Sequence, residues 1–71
     1  MMTKKDWQNV RIWIHSLRDM TIVLYADEIK ELLDVGVFRN KVIWNHAHTF
    51  YGLLRDEIVE RFRLTLPEED R

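Results

Sequence analysis

From Ile43 to Phe62 apolar side chains return every three or four residues: Ile43, Trp44, Ala47, Phe50, Tyr51, Leu54, Ile58 and Phe62. At about 100° per residue they share a band of roughly 120°, the mark of one long amphipathic helix. A strand, whose side chains alternate with a period of two, does not fit that spacing. Val37, Trp44, Tyr51 and Ile58 also stand seven apart, as in a helix–helix seam. A helix running from Val37 to about Leu64 reaches about 42 Å at 1.5 Å per residue. In a chain of 71 residues the other elements must lie along it.

The N-terminal half supplies those elements. Thr3 with Asp6 three residues later reads as an N-cap and the acid of a capping box. Trp7, Val10, Trp13, Ile14, Leu17, Met20 and Leu24 then form a stripe opposite Gln8, Arg11, His15 and Arg18. Near residue 20 the stripe shifts, and Ile22, Ala26, Ile29 and Leu33 lie on another side. Two accounts fit. The helix ends near Asp19, with Asp19 or Thr21 capping a second helix, or one long helix turns its buried side as it passes between partners. The β-branched run Thr21-Ile22-Val23 favours a break or kink; as a lone strand it would have nothing to pair with. Gly36 is the natural left-handed residue at the close of this element. The expected order is a helix over about 4–19, a second over about 21–34, a long third over about 37–64 and an acidic tail over 65–71. The fold class is therefore all-α, a single small domain built as an antiparallel helical hairpin or three-helix unit.

Size decides what such a unit needs. Chains this short gain only a few kcal/mol from one core, and natural ones add disulfides, a metal or a partner subunit. Cysteine is absent, so disulfides and thiolate metal sites are excluded. Ile12, Val23, Phe38, Val42 and Leu53 lie off the main stripes, leaving apolar surface after the helices pair. The expected assembly is a homodimer that completes a four- or six-helix bundle. No apolar run approaches the ~20 residues of a membrane span, and the longest, Met20 to Ala26, is too short for a signal peptide. The chain is expected to be soluble and cytoplasmic.

Net charge is −1, which gives no general attraction for nucleic acid. The charges fall in blocks. Residues 1–18 are basic, 19–34 carry five acids against Lys30, 37–55 hold Arg39, Lys41 and Arg55 with no acid, and the remainder is acidic. Blocks of alternating sign suit antiparallel neighbours that meet with opposite charge, and a nucleic-acid patch on 37–55 is the alternative reading.

Few residues are placed for chemistry. His46 and His48 are two apart, so on a helix they diverge by about 200° and cannot chelate one ion; His15 is remote in sequence. No metal and no organic cofactor is implied. Trp7, Trp13 and Trp44 sit on or near apolar stripes, where core packing is the expected role and base stacking the alternative. The paired acids Asp27-Glu28, Asp56-Glu57 and Glu68-Glu69 fall on polar faces or the tail.

One pattern stands apart. Arg39-Asn40-Lys41-Val42-Ile43-Trp44-Asn45-His46 resembles the Arg-Asn-x-x-x-x-x-His motif of the HEPN ribonucleases, all-helical toxins and RNA-cleaving domains whose active site forms from two copies across a dimer. The resemblance covers eight of 71 residues. Asn45 stands where the family places a small apolar residue before the histidine. The resemblance implies that Arg39 stabilises charge on a scissile phosphate, His46 transfers the proton and Asn40 orients one of them. On a helix, positions seven apart lie two turns away on nearly the same side, so Arg39 and His46 could share one phosphate. Alternatively, both merely flank the buried stripe.

The leading expectation is a non-enzymatic regulatory, adaptor or inhibitor protein of bacterial or phage type that binds another protein through a helical face. Trp7, Phe38, Tyr51 and Leu53 are its candidate contacts. The metal-independent endoribonuclease built on Arg39, Asn40 and His46 is the alternative, with RNA as partner. A helix-turn-helix DNA-binding protein ranks third, because Arg39, Lys41 and Arg55 supply little charge and Asp56, Glu57 and Glu60 repel phosphate.

Overall fold

Thr3 sets the first helix boundary as its side chain suggests. In the computed structural model, which describes residues 2–65, the Thr3 hydroxyl accepts from the Asp6 amide at 3.1 Å, and the Asp6 carboxylate accepts from the Thr3 amide at 2.9 Å. That closed capping box starts helix α1 (Lys4–His15). Helices α2 (Asp19–Val35) and α3 (Lys41–Thr65) follow, with no strand among the described residues. The fold is all-α. Most of the acidic tail expected over 65–71 lies outside the described residues.

The break between the first two helices falls earlier than the β-branched run implies. Helix α1 ends at His15, where the Ser16 hydroxyl donates back to the Trp13 carbonyl at 2.6 Å. Leu17 and Arg18 carry the chain around, and α2 begins at Asp19. Neither Asp19 nor Thr21 is the cap. Arg18 holds that position without a side-chain hydrogen bond, and Asp19 is the first helical residue, an acid beside the positive end of the helix dipole. Residues 20–25 continue as regular helix, so Thr21-Ile22-Val23 neither kinks nor interrupts it. Burial of Ile22 in the core outweighs the small propensity cost of three β-branched residues.

Gly36 ends α2 at φ 82°, donating its amide to the Leu32 carbonyl at 3.1 Å. No atom lies within 4 Å of where a Cβ would stand, so backbone conformation, not crowding, calls for glycine. The long helix starts four residues later than the stripe suggests. Asn40 caps it: its side-chain oxygen accepts from the amides of Val42 at 2.8 Å and Ile43 at 3.2 Å. Val37 to Arg39 are spent on the reversal.

The helices run up, down and up. Asp19 at the start of α2 meets Arg61 near the end of α3, so these two are antiparallel. Trp7 meets His46 while His15 meets Glu57, so α1 runs alongside α3 in the same direction. Helix α3 is the common floor, and Ile14, Ile22, Ala26 and Leu54 are the buried core where the three meet. Val10, Leu17, Ile29, Phe50, Tyr51, Leu53 and Ile58 pack around them, half-buried. The stripe shift at residue 20 has its cause here. Once the chain turns at Ser16, the inward side of α2 is Ile22, Ala26, Ile29 and Leu33, while Met20 and Leu24 are left outside.

Candidate interaction surface

Among the described residues four side chains are fully buried, a thin core for three helices, and many other apolar side chains are exposed. Ile12, Met20, Leu24, Val35, Val37, Val42 and Ile43 are each at least half exposed, and Trp13, Trp44, Val59 and Phe62 are exposed as well. The tryptophans correct an expectation. Trp13 and Trp44 are not core residues: Trp13 stacks at the rim on Tyr25 and Phe50, and Trp44 stacks on His48 at 4.9 Å between ring centroids. A three-helix layer has only one interior line, so rings placed at the edge of a 120° band have no second layer above them.

Part of this surface is shaped. The first half of α1, the start of α3 and the loop before it enclose an open groove of about 390 Å³. Met2 and the α1 residues Trp7, Val10 and Trp13 line it together with Ile29 of α2, Phe38 of the loop and Ile43, His46, Ala47 and Phe50 of α3. His46 is the single ionisable side chain in the lining, and its ring meets Trp7 edge-to-face at 5.9 Å. Small-molecule sites of this volume carry several converging polar groups. This groove offers apolar area and rings.

Of the four expected contacts, Trp7 and Phe38 come together in the groove. Tyr51 and Leu53 do not join them. Both pack against the core, Tyr51 on the α2 side near Lys30 and Leu53 beside Ile14 above the carboxylates of Asp56, Glu57 and Glu60. All four are half-buried. Met20, Leu24, Val35, Ile43 and Trp44 are more exposed, although periodicity places all of them but Val35 on buried stripes.

Arg39, Asn40 and His46 occupy different settings from those the motif implies. Arg39 and Asn40 precede α3, so the premise that Arg39 and His46 sit two turns apart on one helix does not hold. Asn40 is engaged as the cap, Arg39 is exposed, and His46 lies half-buried against Trp7. Among the described residues no group of three His, Asp or Glu side chains could hold a metal ion. None of the described helices is long and apolar enough to cross a membrane.

The densest polar cluster sits at the other end of the molecule and escaped the sequence reading. The Arg61 guanidinium donates to Asp19 Oδ1 at 2.7 Å, to Glu57 Oε2 at 2.9 Å and to the His15 carbonyl at 3.0 Å, with Ile14 O at 3.5 Å. His15 Nδ1 lies 3.1 Å from the same Glu57 oxygen. Burial pushes the Glu57 carboxyl up, but the hydrogen bonds from Arg61 and His15, with their charges, hold it below the usual carboxylate range. This cluster ties the last carbonyls of α1 and the first acid of α2 to α3. It is a clasp. Its pairs only partly follow the charge blocks: His15 meets the acidic last stretch, whereas Asp19 finds its cation inside that stretch.

Comparison of the chain with family models, with curated proteins and with solved structures returns no match.

Proposed function

We propose that this protein is a small regulatory, adaptor or inhibitor protein of bacterial or phage type that acts by protein–protein interaction through a helical face, as a homodimer and without catalysis. The observation that carries the reading is the distribution of apolar side chains. Among the described residues four are buried, while aromatics and aliphatics line an open groove and others stand exposed on α2 and α3. Water-exposed apolar area of that extent on a cysteine-free chain this short supports a partner as the missing half of the core. The absence of converging polar groups in the groove supports binding over chemistry.

Sedimentation velocity across micromolar to near-millimolar protein tests the reading. Self-association with a defined stoichiometry is the expected result. A species that remains monomeric throughout, with no uptake of an apolar dye, overturns it. RNA cleavage by the purified protein that disappears in His46→Ala would replace it with the ribonuclease reading.

A further inference from the structure

We infer that the groove between α1 and α2 seats one amphipathic helix of a partner protein, a helix that carries lysine or arginine beside its apolar anchors. The inference rests on the interaction reading above and names the partner's chemistry.

The groove has the form of a helix seat. Helices α1 and α2 both lie on α3, and they meet where Trp13 stacks on Tyr25 at 6.0 Å and Ile14 joins Ile22 in the core. Toward the N-terminus of α1 the groove opens between them, lined by Trp7 and Val10 of α1 and Ile29 of α2. A cleft between two helices laid over a third is where a bundle takes its next member. The floor suits that occupant. Ala47 stands between Ile43 and Phe50, and a small residue there lets another helix come close. Ile43 to Phe50 rises about 10.5 Å, the same rise as the i, i+3 or i+4, and i+7 anchors of a helix docked in a groove. A second hollow of about 210 Å³ shares Trp13, Ile29 and Phe50 with the groove and continues it to Tyr25 and Glu28.

Charge selects the occupant. Asp6, exposed, precedes Val10 by four residues and Trp13 by seven, so it stands on the groove edge of α1. On the α2 edge Glu28 lines the second hollow, and with Glu31, Leu32 and Val35 it lines a further one. Neither glutamate has an ion-pair partner among the described residues. The nearby cations are turned elsewhere. Lys4, Lys5 and Arg11 lie about 100° or more around α1 from Val10, Arg11 beside His15 and Glu57 on the opposite side. Lys30 is paired with Asp34. Arg39, in the loop beside Phe38, is the exception. An apolar trench with carboxylates on both edges selects a basic amphipathic helix and repels an acidic one. It turns away the acidic α2 of a second copy and the chain's own end, where Glu68, Glu69 and Asp70 follow Leu66 and Pro67.

Two labelled peptides added to the full chain test this by fluorescence anisotropy. Each is a helix of about 16 residues with leucine at i, i+3, i+7 and i+11; one carries lysine beside that stripe and the other glutamate. The lysine peptide should bind about tenfold tighter or more. Glu28→Lys should remove most of that preference. Glu60→Lys, the same charge change on the far side of α1 with Arg11 and His15, should leave it in place. Ala47→Trp fills the floor and should weaken the lysine peptide about tenfold, with the helical circular-dichroism signal unchanged. Phe38→Lys, outside the helices, should weaken it too, so the result does not hang on one packed position. Equal affinity for the two peptides, binding untouched by both groove variants, or Glu60→Lys acting as strongly as Glu28→Lys would overturn the inference. So would a groove variant that dissociates a dimer able to take neither peptide, since a second copy would then be the occupant. In each of these cases self-association seen by sedimentation leaves the interaction reading standing. A chain that stays monomeric and takes neither peptide overturns both.

Discussion

Arg61 joins three helices through one guanidinium. Its partners include the His15 carbonyl at the C-terminus of α1, and the cation also sits at the negative end of that helix's dipole. Arg61→Gln keeps much of the stem but loses the charge and the fork. It should cost about 1–3 kcal/mol, read as a lower midpoint in thermal denaturation followed by circular dichroism. Lysine should rescue little, since one ammonium cannot span Asp19, Glu57 and the His15 carbonyl together. The same cluster sets an acid limit. Glu57 is held below its ordinary value of 4.5, so its folded-state pKa is depressed relative to the unfolded chain. The stability it contributes is complete above about pH 4.5 and is lost as pH falls through the lower folded value. Asp6, lowered from 3.8 first by the Thr3 amide and then by its hydroxyl, moves stability in the same direction. Melting curves between pH 3 and 7 should show the midpoint falling on the acid side. Glu57→Gln should flatten that fall while lowering the neutral-pH midpoint.

Each helix boundary has a separate cause, and the start of α3 offers the sharpest test. Asn40 satisfies two orphan amides, so Asn40→Ala should cost about 1 kcal/mol and Asn40→Asp should be nearly neutral. Equal losses in the two variants, measured by chemical denaturation, would show that the side chain does something other than cap. Thr3 and Gly36 were readable because their signals are local: a hydroxyl three residues before an acid, and a glycine after an apolar run. The end of α1 was not. Nothing around Ser16 is a strong stop signal, and the turn exists because Ile14, Leu17 and Ile22 reach one core from two directions. The run Thr21-Ile22-Val23 misled for the complementary reason, since its propensity cost is a few tenths of a kcal/mol per residue and burial of Ile22 exceeds it.

For the assembled molecule, the ratio of buried to exposed apolar surface matters most. If a second copy covers the exposed apolar side chains, folding and association are one equilibrium, and the melting temperature should rise with protein concentration. Scanning calorimetry over a hundredfold range of concentration checks this; an invariant midpoint would separate folding from association. Helical periodicity was enough to establish an all-α chain of amphipathic helices, the shift of the buried side near residue 20, the cap at Thr3 and the surplus of apolar residues, because each depends on near neighbours along the chain; whether the first half is one helix or two it left open. Which edge of each stripe is covered depends on where the other two helices lie. Only the packed structure put Trp44 outside, closed Trp7 and Phe38 around a groove with His46, and gathered Arg61, Glu57, Asp19 and His15 into a clasp between residues more than forty positions apart.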